Sequence, residues 1–285
     1  MRRKQPGCEW IVKGLLVGAI VWMTGDIAVL NEIDVTDGPS DGFKPVKSAG
    51  RVLEVLEALA ASNPQPMREL AATLGVPRSS MHALLRTMQH YGWVDTDSTG
   101  TLYKLGVHSL LAGSAYVDSD DVVARTAPVL DTLAEKTQET VHLGRLEGDH
   151  VVYLAKRESA HPLRMFSSVG RRLSAFSTAL GKCLLATLPD DEMQARIPTK
   201  LEPVTPKTIT DRDLLIENIM QVRNRGFAVD DEESALGLRC CAIALPKRAT
   251  TRDAISMSVP VSRLDPDREA ELVRLLFEAR STFAS

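Results

Sequence analysis

The alternation of apolar and polar positions becomes regular at about residue 48. Val52, Leu53, Val55, Leu56 and Leu59 recur at helical spacing, and Ser48 stands where an N-cap would. Asn63-Pro64-Gln65-Pro66 breaks the pattern. A second helix is predicted over Met67–Leu74, with Leu70, Ala71 and Leu74 on one face. After the turn Gly75-Val76-Pro77, a third helix is predicted over Arg78–Tyr91. Trp93-Val94 and Leu102–Leu105 read as two strands around the turn Asp97-Ser98-Thr99-Gly100.

This order has the makings of a helix-turn-helix followed by a wing. Ala71 is small enough for two helices to approach, Gly75 tolerates a left-handed turn, and Val76 plugs the junction. At about 100° per residue, Met81, Leu84, Leu85 and Met88 fall in one arc of the third helix. Arg78, Ser79, His82, Arg86 and Gln89 fall in the opposite arc, the one a major groove would receive. Arg78 and Arg86 are long donors to base edges or phosphates, and Ser79, Ser80 and His82 short ones. Lys104 on the wing is expected to face the phosphate backbone, with Arg51 and Arg68 as further basic contacts.

Beyond the wing the period keeps changing. Helices are predicted over 108–123 (a linker) and 123–139, then strands over 140–146 and 150–156 around Glu147-Gly148-Asp149. A third strand is predicted over 163–169, and helices over 178–188, 190–196 and 211–225, the last stopped by Gly226. Strands return at 227–229, 239–245 and 254–260, and a helix closes the chain over 267–284. Strand pairs with helices inserted between them predict an α+β fold with an antiparallel sheet, not a doubly wound parallel one.

Charge sharpens this division. The whole chain of 285 residues carries a net charge of −3, which excludes a bulk polycation. Residues 44–108 nevertheless hold seven basic residues against five acidic ones, flanked by acidic segments on both sides. A small basic module beside a larger acidic one points to a nucleic-acid reader joined to something else. Four cysteines (Cys8, Cys183, Cys240, Cys241), at no disulfide-framework spacing, fit a reducing cytosol.

Residues 1–43 stand apart. Basic residues Arg2, Arg3 and Lys4 precede an apolar run over Leu15–Met23. The uncharged stretch is shorter than the roughly 20 residues of a membrane span, and no small-x-small cleavage site follows it. The segment is expected to be an unfolded extension or a start assigned too far upstream, with residues 34–47 as linker. The domains expected after it are 44–107 for the DNA reader, 108–123 for the linker helix and 124–285 for the remainder.

Two elements of that remainder look like a small-molecule site. Phe176–Lys182 opens a helix with small residues, whose free N–H groups attract carboxylate or phosphate, although ordinary capping by Ser177 or Thr178 would need no ligand. Ser256 and Ser258 share one face of a strand, which would equally describe a solvated sheet face. Asp230–Glu233 reads as a solvated acidic loop, since no spaced His accompanies it, and Cys240-Cys241 is a poor zinc site. Neither a metal nor a cofactor is expected. His142, on an apolar strand, reads as a core histidine.

The stretches GFAVDDEESALGLRC (226–240), FSTALGK (176–182) and AISMSVPVSRL (254–264), behind a winged helix, resemble the IclR family of bacterial transcription regulators over residues 48–283. Residues 140–172 are more similar to its branch that senses 2-keto-3-deoxygluconate and related sugar acids. The resemblance implies a homodimer, or a dimer of dimers, on a palindromic double-stranded operator, and a GAF-like effector domain that takes a small carboxylate. Carried over, the carboxylate would meet the backbone of Ala179 and Leu180, with Asp230, Cys240, Ser256 and Ser258 around the rest. Arg164 and Met165 would reach a longer sugar-acid tail. The chain departs from the pattern at Ala83, where relatives often carry Arg, at Pro246–Asp253, and in its N-terminal extension.

The expected function is therefore a cytoplasmic repressor controlled by a 2-oxo or sugar acid, not an enzyme and not membrane-bound. Two rivals stand beside it. One is an enzyme with Cys240 as nucleophile, for which no base or orienting partner is visible. The other is a regulator tethered through Leu15–Met23.

Overall fold

A computed structural model of the chain describes residues 44–162, 167–246 and 252–283. The chain divides between Arg51 and Val52. The N-terminal apolar run, the predicted tail contacts Arg164 and Met165, and most of Pro246–Asp253 lie outside the described residues.

Helix α1 (Lys47–Ala61), the short strand β1 (Gln65–Pro66), α2 (Met67–Thr73) and α3 (Arg78–His90) lead into the wing, β2 (Val94–Thr96) and β3 (Leu102–Leu105). Ser48 lies inside α1, one residue past its start, and so is not its cap. Val55, Leu59, Leu70, Met81, Leu85 and Val94 form the core, each worth about 1.5–3 kcal/mol when fully buried. Gly75 adopts φ +58°, a left-handed turn that a side chain would strain, and the Val76 N–H returns to the Ala71 carbonyl at 3.0 Å. The sheet order is β1-β3-β2, so the break at 63–66 supplies a third strand that alternation did not reveal. Gln65 Nε2 donates to the carbonyls of Ala58 (2.8 Å) and Ser62 (2.6 Å), fixing the exit of α1.

The linker is helix α4 (Val107–Ser119), followed by α5 (Asp121–Thr137). The break falls at Asp120, three residues before the expected one. Asp120 Oδ1 accepts the N–H groups of Val122 (3.0 Å) and Val123 (3.2 Å), an N-cap that the apolar periodicity concealed.

The second sheet comprises β4 (Thr140–Glu147), β5 (His150–Arg157), β6 (Arg172–Ser174), β7 (Ala228–Asp231), β8 (Leu238–Ala244) and β9 (Asp253–Pro260). Every pairing is antiparallel, in the order β6-β5-β4-β9-β8-β7. The strand expected over 163–169 is partly outside the described residues; its described end, 167–169, is not strand, and the strand follows at β6. Helices α6 (Ala179–Leu185), α7 (Asp190–Ala195), α8 (Arg212–Arg225) and α9 (Pro266–Ser281) complete the fold.

The two faces of this sheet differ in kind. Cys241, Ile243, Ile255, Met257 and Val259 point to α5 and α9, where Leu130, Leu133, Leu272 and Leu276 meet them. Small residues (Ala228, Cys240, Ala242, Ala244, Ala254) form the opposite face, packed with α6 and with Leu215 and Ile219 of α8. Small side chains let α6 lie close to the strands. A Cβ on Gly181 would fall 2.1 Å from the Ala175 carbonyl oxygen, and one on Gly144 of β4 2.9 Å from Leu180 Cδ1.

Candidate functional site

Helix α3 sorts its side chains as its period requires. Met81, Leu85 and Met88 are buried, while Arg78, Ser79, Ser80, His82 and Arg86 are exposed together with the departure position Ala83. Arg68 of α2 is also exposed; its 3.6 Å approach to Glu69 is a solvated pair of little strength. Lys104 is exposed on β3, 3.8 Å from Asp95. Arg51 is half-buried on α1, at the division between Arg51 and Val52.

The wing itself is held by Asp97. Its Oδ1 accepts the N–H groups of Thr101 (2.9 Å) and Leu102 (3.0 Å), and Oδ2 accepts the Thr99 hydroxyl at 2.5 Å. These bonds, led by Thr99, hold the carboxyl near pKa 2, so the wing keeps its anionic staple at any physiological pH. At the base of the wing the Gly106 N–H donates to the Trp93 carbonyl at 2.8 Å, and a Cβ there would sit 2.2 Å from the Gly92 oxygen.

In the second sheet the predicted effector residues come together on the small-residue face. Ser258 pairs across strands with Cys240, and Cys240 with Asp230, so all three side chains share a side; Ser256 lies two residues along. Asp230, Ser256 and Ser258 are no more than 3% exposed and Cys240 is 7%, which removes the solvated-face reading and, at Asp230, the solvated-loop one, although the neighbouring Asp231 is exposed. Ala179 and Leu180 open α6 against the same side, and the Thr178 hydroxyl caps the Gly181 N–H at 3.1 Å.

Asp230 is committed locally as well. Its Oδ1 accepts the Glu233 N–H at 2.7 Å, and Ser234 donates its N–H and hydroxyl. Burial nevertheless pushes its carboxyl above the ordinary range, because desolvation outweighs those bonds. The Cys240 thiol donates to Ser258 Oγ at 3.2 Å and is driven well above its ordinary value by burial and by Asp230. A protonated thiol bonded to a serine is not an activated nucleophile.

Two pairings escaped the sequence. Lys182, on α6, is fully buried and reaches Glu233 Oε1 at 2.5 Å, fixing the β7–β8 loop to the helix. A signal existed: every residue of α6 is buried, so a Lys within so apolar a helix has to find an internal anion. The second is His142, buried as expected, whose Nε2 bonds to Ser167 Oγ at 2.7 Å while its ring stacks on Tyr153. Among the described residues no group of His, Cys, Asp and Glu is arranged to hold a metal, and no helix is long and apolar enough to cross a membrane.

Residues 48–98 match the IclR helix-turn-helix domain, and residues 114–283 match the bacterial transcriptional regulator IclR C-terminal domain. The chain belongs to the IclR family. It is 34% identical over 250 residues to the transcriptional repressor IclR of Escherichia coli K12, covering 86% of this chain and 90% of that one. It is 32% identical over 236 residues to the HTH-type transcriptional regulator KdgR of the same organism, covering 82% and 90%. A solved transcriptional regulator from Rhodococcus sp. RHA1 superposes with a TM-score of 0.69 at 28% identity, covering 83% of this chain and 96% of that one. An IclR-family chain with this winged helix is a DNA-binding transcriptional regulator and not an enzyme, which overturns the reading of Cys240 as a nucleophile.

Proposed function

We propose that this regulator is a cytoplasmic repressor whose hold on a palindromic double-stranded operator is controlled by a small 2-oxo or sugar acid such as 2-keto-3-deoxygluconate. The single observation carrying the effector site is the burial of Asp230, Cys240, Ser256 and Ser258 on one sheet face beside the start of α6. The carboxylate meets Ala179 and Leu180, and these four side chains surround the rest. Arg164 and Met165 reach a longer tail. The resemblance of residues 140–172 to the family's branch that senses 2-keto-3-deoxygluconate supports the sugar-acid class.

Arg78, Ser79, Ser80, His82 and Arg86 of α3 enter the major groove, while Arg51, Arg68 and Lys104 hold phosphates. Residues 44–107 read DNA, 108–123 link and 124–285 sense. The working unit is a homodimer or a dimer of dimers. Helix α4 supports this: none of its residues is buried, and Val107, Leu110, Leu111 and Tyr116 are all at least half exposed. An uncovered apolar helix is covered by a partner, here a second copy.

Control requires the acid to bind one arrangement of the DNA-reading heads better than another. A mobility-shift assay on the region upstream of its own gene, with and without candidate acids, tests the reading. A specific shift changed by one of the acids supports it; no specific shift at low salt sinks it.

A further inference from the structure

We propose that His142 reads a hydroxyl group of the effector, so that the regulator distinguishes a hydroxylated acid from its deoxygenated analogue. This rests on the small-residue face of the sheet being the effector site.

His142 is the direct cross-strand neighbour of Ser256, and so stands on the same face as Ser258, Cys240 and Asp230. Gly144, two residues further along β4, faces Leu180, which places the start of α6 over this end of the strand. The imidazole is completely buried and locked. Nε2 is bonded to Ser167 Oγ at 2.7 Å, and the ring stacks on Tyr153 with centroids 4.4 Å apart and planes 19° from parallel. The ring is thus held at Nε2 and on one face. Yet Nδ1 is buried without a hydrogen-bond partner. A buried polar atom left unpaired is costly and marks a place for a water or a ligand atom.

The chemistry of that atom selects its partner. Burial, with Lys156 and Arg171 nearby, keeps the imidazole neutral, near pKa 3. A neutral imidazole has one donor and one acceptor. If Ser167 donates to Nε2, Nδ1 carries the proton and donates. If Nε2 donates to Ser167, Nδ1 is a bare acceptor. A hydroxyl satisfies either tautomer, since it donates and accepts. A methyl satisfies neither, and an ammonium would face the same positive charges that keep His142 neutral.

Calorimetric titration of the full chain with 2-oxobutyrate, 4-hydroxy-2-oxobutyrate, 2-keto-3-deoxygluconate and 2-oxoglutarate tests this. The hydroxylated acids should bind wild type about tenfold tighter than 2-oxobutyrate, the ratio that roughly 1.4 kcal/mol supplies. His142→Leu should abolish that preference by weakening the hydroxylated acids to about the affinity of 2-oxobutyrate, the one-bond loss expected when the polar partner is removed. His142→Phe, which keeps an aromatic ring against Tyr153 but carries no ring nitrogen, gives the same reading should the leucine variant fail to fold. Ser167→Ala should keep the preference. Equal loss of every acid in both His142 variants, no preference in wild type, or tightest binding of 2-oxoglutarate overturns the proposal. If no acid binds wild type, the effector-site reading itself fails, and the role of His142 falls with it.

Discussion

Arg145, on strand β4, holds Asp120 at 2.5 Å, and Asp120 is the residue at which the linker helix ends and α5 begins. The same guanidinium reaches the fully buried Asp253 of β9 at 2.6 Å and the Tyr116 hydroxyl of α4 at 2.8 Å. One side chain thus joins two central strands of the sensing sheet to the corner of the linker. Replacing it removes the guanidinium from a buried ion-pair cluster, a loss of up to about 3–5 kcal/mol for such pairs. Arg145→Met should lower the urea midpoint accordingly. A change below about 1 kcal/mol, the size of an exposed pair, would show that the corner is not held this way.

Arg78 and Arg86 project from the exposed arc of α3 without a close acidic neighbour on that arc. Arg78→Ala and Arg86→Ala should each weaken operator binding by about 1–3 kcal/mol if they read bases, and should relax sequence preference. If either holds a phosphate instead, the salt slope should fall by about one with all sequences weakened alike. Anisotropy titrations at several salt concentrations separate these outcomes. Unchanged affinity in both variants would place the operator elsewhere.

The base of the wing admits no side chain at Gly106, where a Cβ would overlap the Gly92 carbonyl at 2.2 Å. Gly106→Ala should therefore disturb the passage from wing to linker helix, costing about 1–3 kcal/mol as overpacking does. Operator affinity should fall with it, while acid binding in the sheet domain persists. Titrating both ligands against the one variant checks the prediction.

His142 gives the sensing domain a pH dependence. Its folded pKa near 3 lies below the ordinary 6.5, so the unfolded chain binds the proton first. Stability from this group is complete above about pH 6.5 and declines as pH falls toward 3, by up to about 1.4 kcal/mol per pH unit. Burial, Lys156 and Arg171 are the causes, and all persist while the sheet is folded. Urea unfolding at pH 7 and pH 5 should show a larger loss in wild type than in His142→Leu. Equal losses would mean that other groups carry the slope.

Much of this architecture was legible because local chemistry and global fold agree. Gly75 and Gly226 stand where left-handed turns end their helices, and the arcs of α3 divide as a 3.6-residue period demands. The shared face of the two serines of β9 could be placed by period alone, and the helix expected over 178–188 begins at Ala179, within one residue of that start, but ends at Leu185. What stayed hidden depends on distant partners. Asp230–Glu233 reads as a solvated run, but Lys182, far away in sequence, draws Glu233 inside. Strand β1 is two residues long and contains a proline, so it exists only because β3 pairs with it. The break at Asp120 is invisible to apolar periodicity because it is made by one carboxylate capping two N–H groups.

In the proposed mechanism one face of the sheet senses an acid and the winged helix answers. Its most direct measurement is operator affinity of the double variant Ser256→Ala/Ser258→Ala, with and without the acid that shifts wild type. Operator affinity without acid should be that of wild type, and the acid concentration needed for the response should rise by about fivefold or more, since each lost hydroxyl bond costs roughly 0.5–1.5 kcal/mol. An undiminished response to the acid would contradict it.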